Sequence, residues 1–544
     1  MIASSASFGQ ETEFQFKDVA KATGLDFTHY SPLSPERHLH LFMGSGLAWC
    51  DFDVDGWPDL YFCQGAAWPP RTDRTPAHSN QLFRNVHGRF ENVTEHAGLS
   101  SFGYSMGAAV GDYDNDGFPD IYVSCYGPDR FFRNLGDGTW AEVTDQPVLN
   151  DPRFGASCTW ADIDGDGDLD LYVTNYLKLD PANYPLCSHV ENGKRYPGGC
   201  HPRHQKHEYD RLLSNRGDGT FIDITESAGL LAETPRAGLG VVAYDFDEDG
   251  DQDFYIANDT VNNQLWVNSG KETFTDDALV MGVAVNGHGF AGAAMGIAAG
   301  DVDGDGRLDL FVTNYFNETN TLYRNDPAAF IDVTAEYGLA APSLQRLGFG
   351  TSLFDADNDG WLDLIVANGH VQSYPPELDR REPFAQLPQI FRNQRGARFQ
   401  EVSSRAGAYF QQAIVGRSTA LADYNRDGRM DVAIQHLNGP AALLQNDAAN
   451  AGRSLTLRLV GVRSNREALG ARVEVGVGTK KITRFVLGSC GYLSGDDRSL
   501  VIGLGDAERA ETVTVRWPSG QSESWGPFAN GERHTLIEGR GVGR

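Results

Sequence analysis

The sequence predicts an all-β fold, a seven-bladed β-propeller followed by a small β domain, and three observations carry that expectation. The nine-residue pattern Asp51-Phe-Asp-Val-Asp-Gly-Trp-Pro-Asp59 recurs seven times between residues 51 and 431. Each copy lies between short segments whose apolar residues alternate with period two, the pattern of strands bounded by turns. The copies begin 50 to 83 residues apart, a spacing that fits one four-stranded blade per copy with insertions between strands. A chain of 544 residues is too long for one ordinary core, and repetition resolves that.

The recurrent loop has the chemistry of a hard-cation site. Carboxylates stand at positions 1, 3, 5 and 9, and the glycine at position 6 can take a backbone conformation that a side chain would resist. Calcium needs six to eight oxygens at roughly 2.3 to 2.6 Å, and this alternation delivers them from one short segment. The last ligand comes too early for an EF-hand. The expected ligands are Asp51, Asp53, Asp55 and Asp59; Asp112, Asp114, Asp116 and Asp120; Asp162, Asp164, Asp166 and Asp170; Asp245, Asp247, Asp249 and Asp253; Asp301, Asp303, Asp305 and Asp309; Asp355, Asp357, Asp359 and Asp363; and Asp423, Asn425, Asp427 and Asp431. Up to seven Ca2+ ions are expected, in closed sites that clamp hairpins rather than bind substrate.

Composition narrows the function. The formal charge is -29, yet the loops alone hold 27 aspartates, four in each of six copies and three in the seventh. Seven divalent ions would bring the charge to about -15, so the acidity belongs to the metal sites rather than to a basic partner. Nucleic acid is not expected, since phosphate binding needs a clustered basic surface. No run of about 18 apolar residues exists, so no membrane span is expected. Met1 to Gln10 shows no charged or apolar signal region in the chain as given. Of seven cysteines, Cys187 and Cys200 share a Pro/Gly-rich loop where a disulfide can form, and the other five lie mostly in strand-like apolar runs. One such bond points outside the cytoplasm.

Each blade is read as four strands. Small-residue runs precede the loops (Met43 to Trp49, Ser105 to Val110, Phe154 to Trp160, Ala237 to Tyr244, Ala291 to Ala299, Leu347 to Phe354 and Gly416 to Ala422), as a crowded innermost strand requires. A second strand follows each loop, as in Leu60-Tyr-Phe and Ile121-Tyr-Val, and a third ends in asparagine, as in Phe83-Arg-Asn85 and Leu322-Tyr-Arg-Asn325. Outer strands include Phe90-Glu-Asn-Val-Thr94 and Phe330-Ile-Asp-Val-Thr334. The seventh repeat stops at Leu443-Leu-Gln-Asn446 and lacks an outer strand. Residues 14–20 contain a spare one, Phe16-Lys-Asp-Val-Ala20, which is expected to complete the last blade and remove the open edges. The propeller is thus assigned to residues 1–446, and a β domain without calcium loops to residues 447–544.

The loops, the Gly-Leu pairs at Gly98-Leu99, Gly229-Leu230 and Gly338-Leu339, Asn258-Asp-Thr260 and Asn368-Gly-His370 resemble the FG-GAP/VCBS propeller of the cartilage acidic protein family. Leu469-Gly-Ala-Arg-Val-Glu-Val475, Gly491-Tyr-Leu-Ser494, Gly503-Leu-Gly505 and Arg516-Trp-Pro-Ser-Gly520 resemble its ASPIC/UnbV domain. The blades are also similar to the integrin α-subunit head. The resemblance implies calcium binding, an extracytoplasmic setting and ties to adhesion or matrix. One departure is His38-Leu-His-Leu-Phe42, where many relatives carry an acidic residue.

Topology separates two faces. If the innermost strand runs down to the calcium loop, the opposite face collects the loops between second and third strands and those that lead into each innermost strand. That face carries the long insertions Gln64 to Asn80, Leu177 to Asp210 and Val371 to Gln389, and long ordered loops of this kind usually carry function. Its expected ligand-binding residues are Tyr104, Arg153, Tyr176, Arg236, Asn258, Tyr315, Arg346, Asn368 and Arg417. The expected function is binding of a protein, a glycan or a small anionic molecule, the last because guanidinium groups grip carboxylates and phosphates. The alternative is an enzyme of cyclase or lyase type in natural-product biosynthesis, with an axial pocket and His38, His40, Asp259, His288 and His370 as catalytic groups. His201, His204 and His207 have zinc-like spacing but fall in a Pro/Gly-rich loop, where a solvated cluster is the expectation.

Overall fold

The computed structural model describes residues 14–68, 74–178, 180, 186–191, 193–270, 272–372, 382–449 and 451–543. Among these residues the chain forms seven four-stranded antiparallel sheets. Their innermost strands are Leu47–Cys50, Tyr104–Gly111, Gly155–Ala161, Gly238–Tyr244, Ile297–Gly300, Gly348–Phe354 and Gly416–Ala422. Each of these strands packs against the next, and the last packs against the first, so the sheets stand around a common centre. Small residues are needed there: a Cβ on Gly296 would sit 2.2 Å from the carbonyl oxygen of Phe349 in the neighbouring sheet.

The seventh sheet takes its outer strand from the other end of the chain. Phe16–Asp18 runs antiparallel to Ala442–Asn446, with Phe16 opposite Asn446 and Asp18 opposite Leu444. Apolar residues fill the spaces between sheets, for example Leu60, Phe62, Phe83 and Phe90 against Ala420, Ala433 and Leu443 on either side of the closure. Buried tyrosines in the second strands anchor the loops beyond them, through Tyr122 to Asp129 at 2.7 Å and Tyr172 to Asp210 at 2.9 Å.

A second interaction joins sheet to sheet. In six of the seven sheets the asparagine that ends the third strand donates its side-chain amide to a carbonyl inside the preceding Asp-rich loop. The bonds are Asn134 to Phe52, Asn215 to Tyr113, Asn268 to Ile163, Asn393 to Val302 and Asn446 to Ala356, all at 2.8 Å. Asn85 of the first sheet reaches Tyr424 of the seventh loop at 2.8 Å, so the series crosses the closure as well.

The C-terminal segment forms a five-stranded and a three-stranded sheet around Leu455, Leu457, Val473, Val475, Val513 and Trp517. It rests on the face that bears the Asp-rich loops. Arg533 pairs with Asp423, Arg466 approaches Asp112 at 3.5 Å, and Arg484 and Arg516 approach Asp355 and Asp245 at 3.7 Å. Gly491 to Gly495 enters the centre of the ring. Gly491 exchanges backbone hydrogen bonds with Ile297, and Gly495 accepts one from Trp49 and donates one to Leu47. The Tyr492 ring packs on Phe349 at 4.9 Å, and its hydroxyl donates to the Met43 carbonyl at 3.2 Å. From the opposite side the short helix His40–Met43 closes the centre, with Leu41 and Met43 buried among Met106, Leu239, Leu347 and Tyr492.

The asparagine series yields a prediction. Asn134→Ala removes the donor that also serves Pro119 O at 3.3 Å and leaves buried carbonyls unpaired. The expected loss is about 2 to 3 kcal/mol, read as a shift of the denaturation midpoint relative to an exposed Asn→Ala control.

Candidate functional site

The seven Asp-rich loops share one hydrogen-bonded geometry. In every copy the first aspartate accepts the N–H of the glycine at position 6, as Gly56 to Asp51, Gly117 to Asp112 and Gly428 to Asp423. That glycine has positive φ in all seven, from 82° at Gly428 to 110° at Gly250. The position-5 carboxylate accepts the N–H two residues on, as Trp57 to Asp55 at 2.9 Å, and so turns the chain locally. The last aspartate faces inward and accepts the N–H of the asparagine that ends the third strand, the latch asparagine, at 2.6 Å for Asp59 and 2.8 Å for Asp120.

These contacts gather the carboxylates at positions 1, 3 and 9. In Asp51, Asp53 and Asp59, and in four further copies named by Asp112, Asp162, Asp245 and Asp301, one oxygen from each lies within 4.8 Å of the others. The donor set is all oxygen, which suits a hard divalent ion. Asp53 Oδ1, Asp114 Oδ1, Asp245 Oδ1 and Asp431 Oδ2 are buried with no hydrogen-bond partner among the described residues, a cost that a cation removes. Burial, with Asp166 and Asp164 adding repulsion, pushes Asp162 up to about 7. Burial likewise pushes Asp59 up to about 9.

The opposite face carries the residues expected to bind a ligand, and they divide into separate groups. His40, Tyr104 and Arg153 line one cavity of about 560 Å³ together with Trp68, Tyr126 and Phe154. His40 stacks on Tyr126 at 4.4 Å and meets Trp68 edge-on at 5.0 Å. Burial pulls its imidazole down to about 3, so it is neutral near neutral pH. His38 lies 6.0 Å from His40 and shares a 2.6 Å hydrogen bond with Ser34. Arg153 is held by Asp151 and by the Tyr209 carbonyl.

The remaining groups lie elsewhere. Tyr176 donates to Asp259, whose carboxyl is pushed up to about 7 chiefly by burial. Tyr315 packs beside His370 at 5.4 Å. Asn258 and Asn368 are buried at strand ends, where their amides donate to Asn262 O and Leu387 O. Arg236 pairs with Asp276 at 3.0 Å, Arg346 donates to Gln345 O, and His288 is exposed in a turn at Asn286.

The structure corrects the expectation of an axial pocket. Arg417 is fully buried, lies 4.1 Å over the Phe349 ring, and donates to the carbonyls of Phe42, Gly369, Gly416 and His370. It fastens the helix that closes the centre. The side chains of Met43, Phe349 and Tyr492 occupy the space that a pocket would need.

Comparison with known proteins matches these features. A model of the FG-GAP-like repeat matches residues 51–123, 121–173, 245–312, 301–366 and 355–434, and a model of the ASPIC and UnbV domain matches residues 461–542. The chain belongs to the FG-GAP repeat, ASPIC/UnbV family typified by cartilage acidic protein. This family member is 24% identical to human cartilage acidic protein 1 over 353 residues, covering 62% of this chain and 49% of that protein. It is 26% identical to the Mus musculus protein over 464 residues, covering 80% and 64% respectively. The FG-GAP chain thus spans about half to two-thirds of the length of these relatives. Among solved structures it is similar to YCF48 from Cyanidioschyzon merolae, with a TM-score of 0.41, 8% identity, and coverage of 79% of this chain and 98% of that one.

Sequence reasoning about this FG-GAP protein missed Trp68, Tyr126 and Phe154 as cavity walls. Tyr126 does stand at the end of a second strand and Trp68 in an insertion, a positional signal that was available. The latch asparagines carried a plainer signal, their recurrence at the ends of third strands. Cys187 and Cys200 form a disulfide, and no helix among the described residues is long and apolar enough to cross a membrane.

The loop carboxyls generate a pH prediction. The folded values of Asp59 and Asp162 lie above the ordinary 3.8, so between the two values the fold binds more protons at these groups than the unfolded chain does. In chelator the melting temperature should therefore fall as pH rises from about 5 to about 8, and excess calcium should flatten that slope. Calorimetry at several pH values with and without chelator checks both arms.

Proposed function

We propose that this protein is a calcium-stabilised, seven-bladed β-propeller spanning residues 1–446, closed by residues 14–20 and joined to an ASPIC/UnbV domain at residues 447–544. Its function is to bind a ligand on the face opposite the calcium loops. Seven Ca2+ ions hold the loops and serve structure, since each site is completed by carboxylates and backbone from one short segment. The Cys187–Cys200 disulfide and the family support an extracytoplasmic setting.

The observation that carries the binding reading is the cavity of about 560 Å³ bounded by Trp68, Tyr104, Tyr126 and Phe154. Its size and mostly apolar lining, with four aromatic rings besides His40, fit a small-molecule or oligomer-end site. Every wall comes from loops on the insertion-bearing side: the ends of second strands, the starts of innermost strands, and the first two insertions. The catalytic alternative has no comparable support, because Asp259, His288 and His370 lie in different groups from His38 and His40.

Two measurements test this reading. Elemental analysis of the purified chain in calcium should give seven ions per molecule, and a count of three or fewer would remove the structural assignment. A thermal-shift screen of the calcium-loaded chain should give ligands whose effect disappears in Ala66→Trp, a substitution that fills the cavity at one of its lining residues. Ligands that stabilise the variant as well as the parent would place binding elsewhere.

A further inference from the structure

Resting on the ligand-binding reading above, we infer that the cavity beside Trp68 and Tyr126 takes an uncharged saccharide of about two or three rings. The argument is one of charge and shape. A volume of about 560 Å³ admits more than one sugar ring, and most of its lining residues are apolar. The walls are planar side chains: Trp68 meets Tyr126 at 5.8 Å and 75°, and Phe154 meets Tyr126 at 5.0 Å and 86°. A pyranose has apolar C–H faces to lay on such walls and hydroxyl groups around its edge.

The charges argue against an anionic ligand. The Arg153 guanidinium is already matched by Asp151 at 2.7 Å, and the further Arg236 and Arg417 groups are committed to Asp276 and to backbone carbonyls. The lining then adds one cation, Lys178, and one anion, Glu208, and the neutral imidazole of His40. An anionic ligand would lose hydration here without finding a net positive charge, since the Asp180 carboxylate also acts on the Tyr126 hydroxyl. Hydroxyl groups suit the same lining, because the Lys178 ammonium donates, the Glu208 carboxylate accepts, and either can serve several hydroxyls. The Tyr126 hydroxyl is buried and has no hydrogen-bond partner among the described residues, so a ligand hydroxyl would satisfy a group otherwise left unpaired.

The test uses the calcium-loaded full chain and three sets of probes: cellobiose, maltotriose and diacetylchitobiose as neutral sugars; citrate and a heparin oligosaccharide as anions; choline as a cation. Titration calorimetry and saturation-transfer NMR should show binding of at least one neutral sugar with Kd at or below about 1 mM. Trp68→Ala should weaken it at least about tenfold. Tyr126→Phe, which keeps the ring and removes only the hydroxyl, should weaken it about three- to tenfold. Melting temperature and calcium content report whether either variant is merely misfolded. Binding of citrate, heparin or choline that is lost in Ala66→Trp, with no neutral sugar bound, would overturn the saccharide class and leave the cavity a ligand site. Failure of every probe would overturn both. Sugar binding indifferent to Trp68→Ala and Tyr126→Phe would place the sugar elsewhere and overturn the inference.

Discussion

A carboxamide donated from the end of one sheet to the loop of the sheet before it is the contact on which this architecture depends. The latch asparagine does two things at once. Its backbone N–H holds the last aspartate of its own loop, and its side chain holds a carbonyl of the neighbouring loop. An ion drawn to that aspartate would therefore act on the loop, on the strand end and on the next sheet together. Buried polar groups linked in this way respond as a network, so loosening one loop is felt by its neighbours. The two ends of the series meet through Asn85 and Tyr424, and the pairing of Phe16–Asp18 with Ala442–Asn446 reinforces the same junction.

The two faces of the ring have been put to different uses. On the loop face, acidic groups meet arginines of the C-terminal sheets, and the segment from Gly491 to Gly495 threads inward between innermost strands. Gly46 shows how close that approach is, since a Cβ there would lie 1.7 Å from the Leu493 carbonyl oxygen. On the opposite face the loops are longer and carry aromatic side chains. The Cys187–Cys200 bond ties one of those insertions to itself, and Gly199 beside it lies 3.6 Å, in Cβ terms, from Leu39 near the closing helix. Covalent bracing of a long surface segment limits the entropy lost when it is held in one place.

The all-β character and the recurrent acidic turns were legible because their chemistry repeats in register: the same aspartates, the same glycine, the same asparagine. The spare strand near Phe16 was legible for a similar reason, as a count that failed to close at Asn446. Position within a repeat also placed His40, Tyr104 and Arg153 on one face. It could not say which way a charged side chain turns. Arg417 looks like an anion ligand by residue type, yet it is consumed by four carbonyls. His288 shares a repeat position with residues near the centre, yet its turn carries it into solvent. The filling of the centre was beyond reach of any local pattern, because Tyr492 meets Met43 and Phe349 from 449 and 143 residues away. The aromatic cavity was hidden for the same reason, being assembled from loops of three sheets.

Because Phe16–Asp18 supplies the outer strand for residues near Asn446, that strand must wait for almost the whole ring before its partner exists. Until then both flanks of the growing array offer unpaired backbone to any neighbouring chain. Synthesis thus imposes a waiting period that a holding chaperone would govern. A chain cut short ahead of the seventh sheet is left with no means of sealing itself.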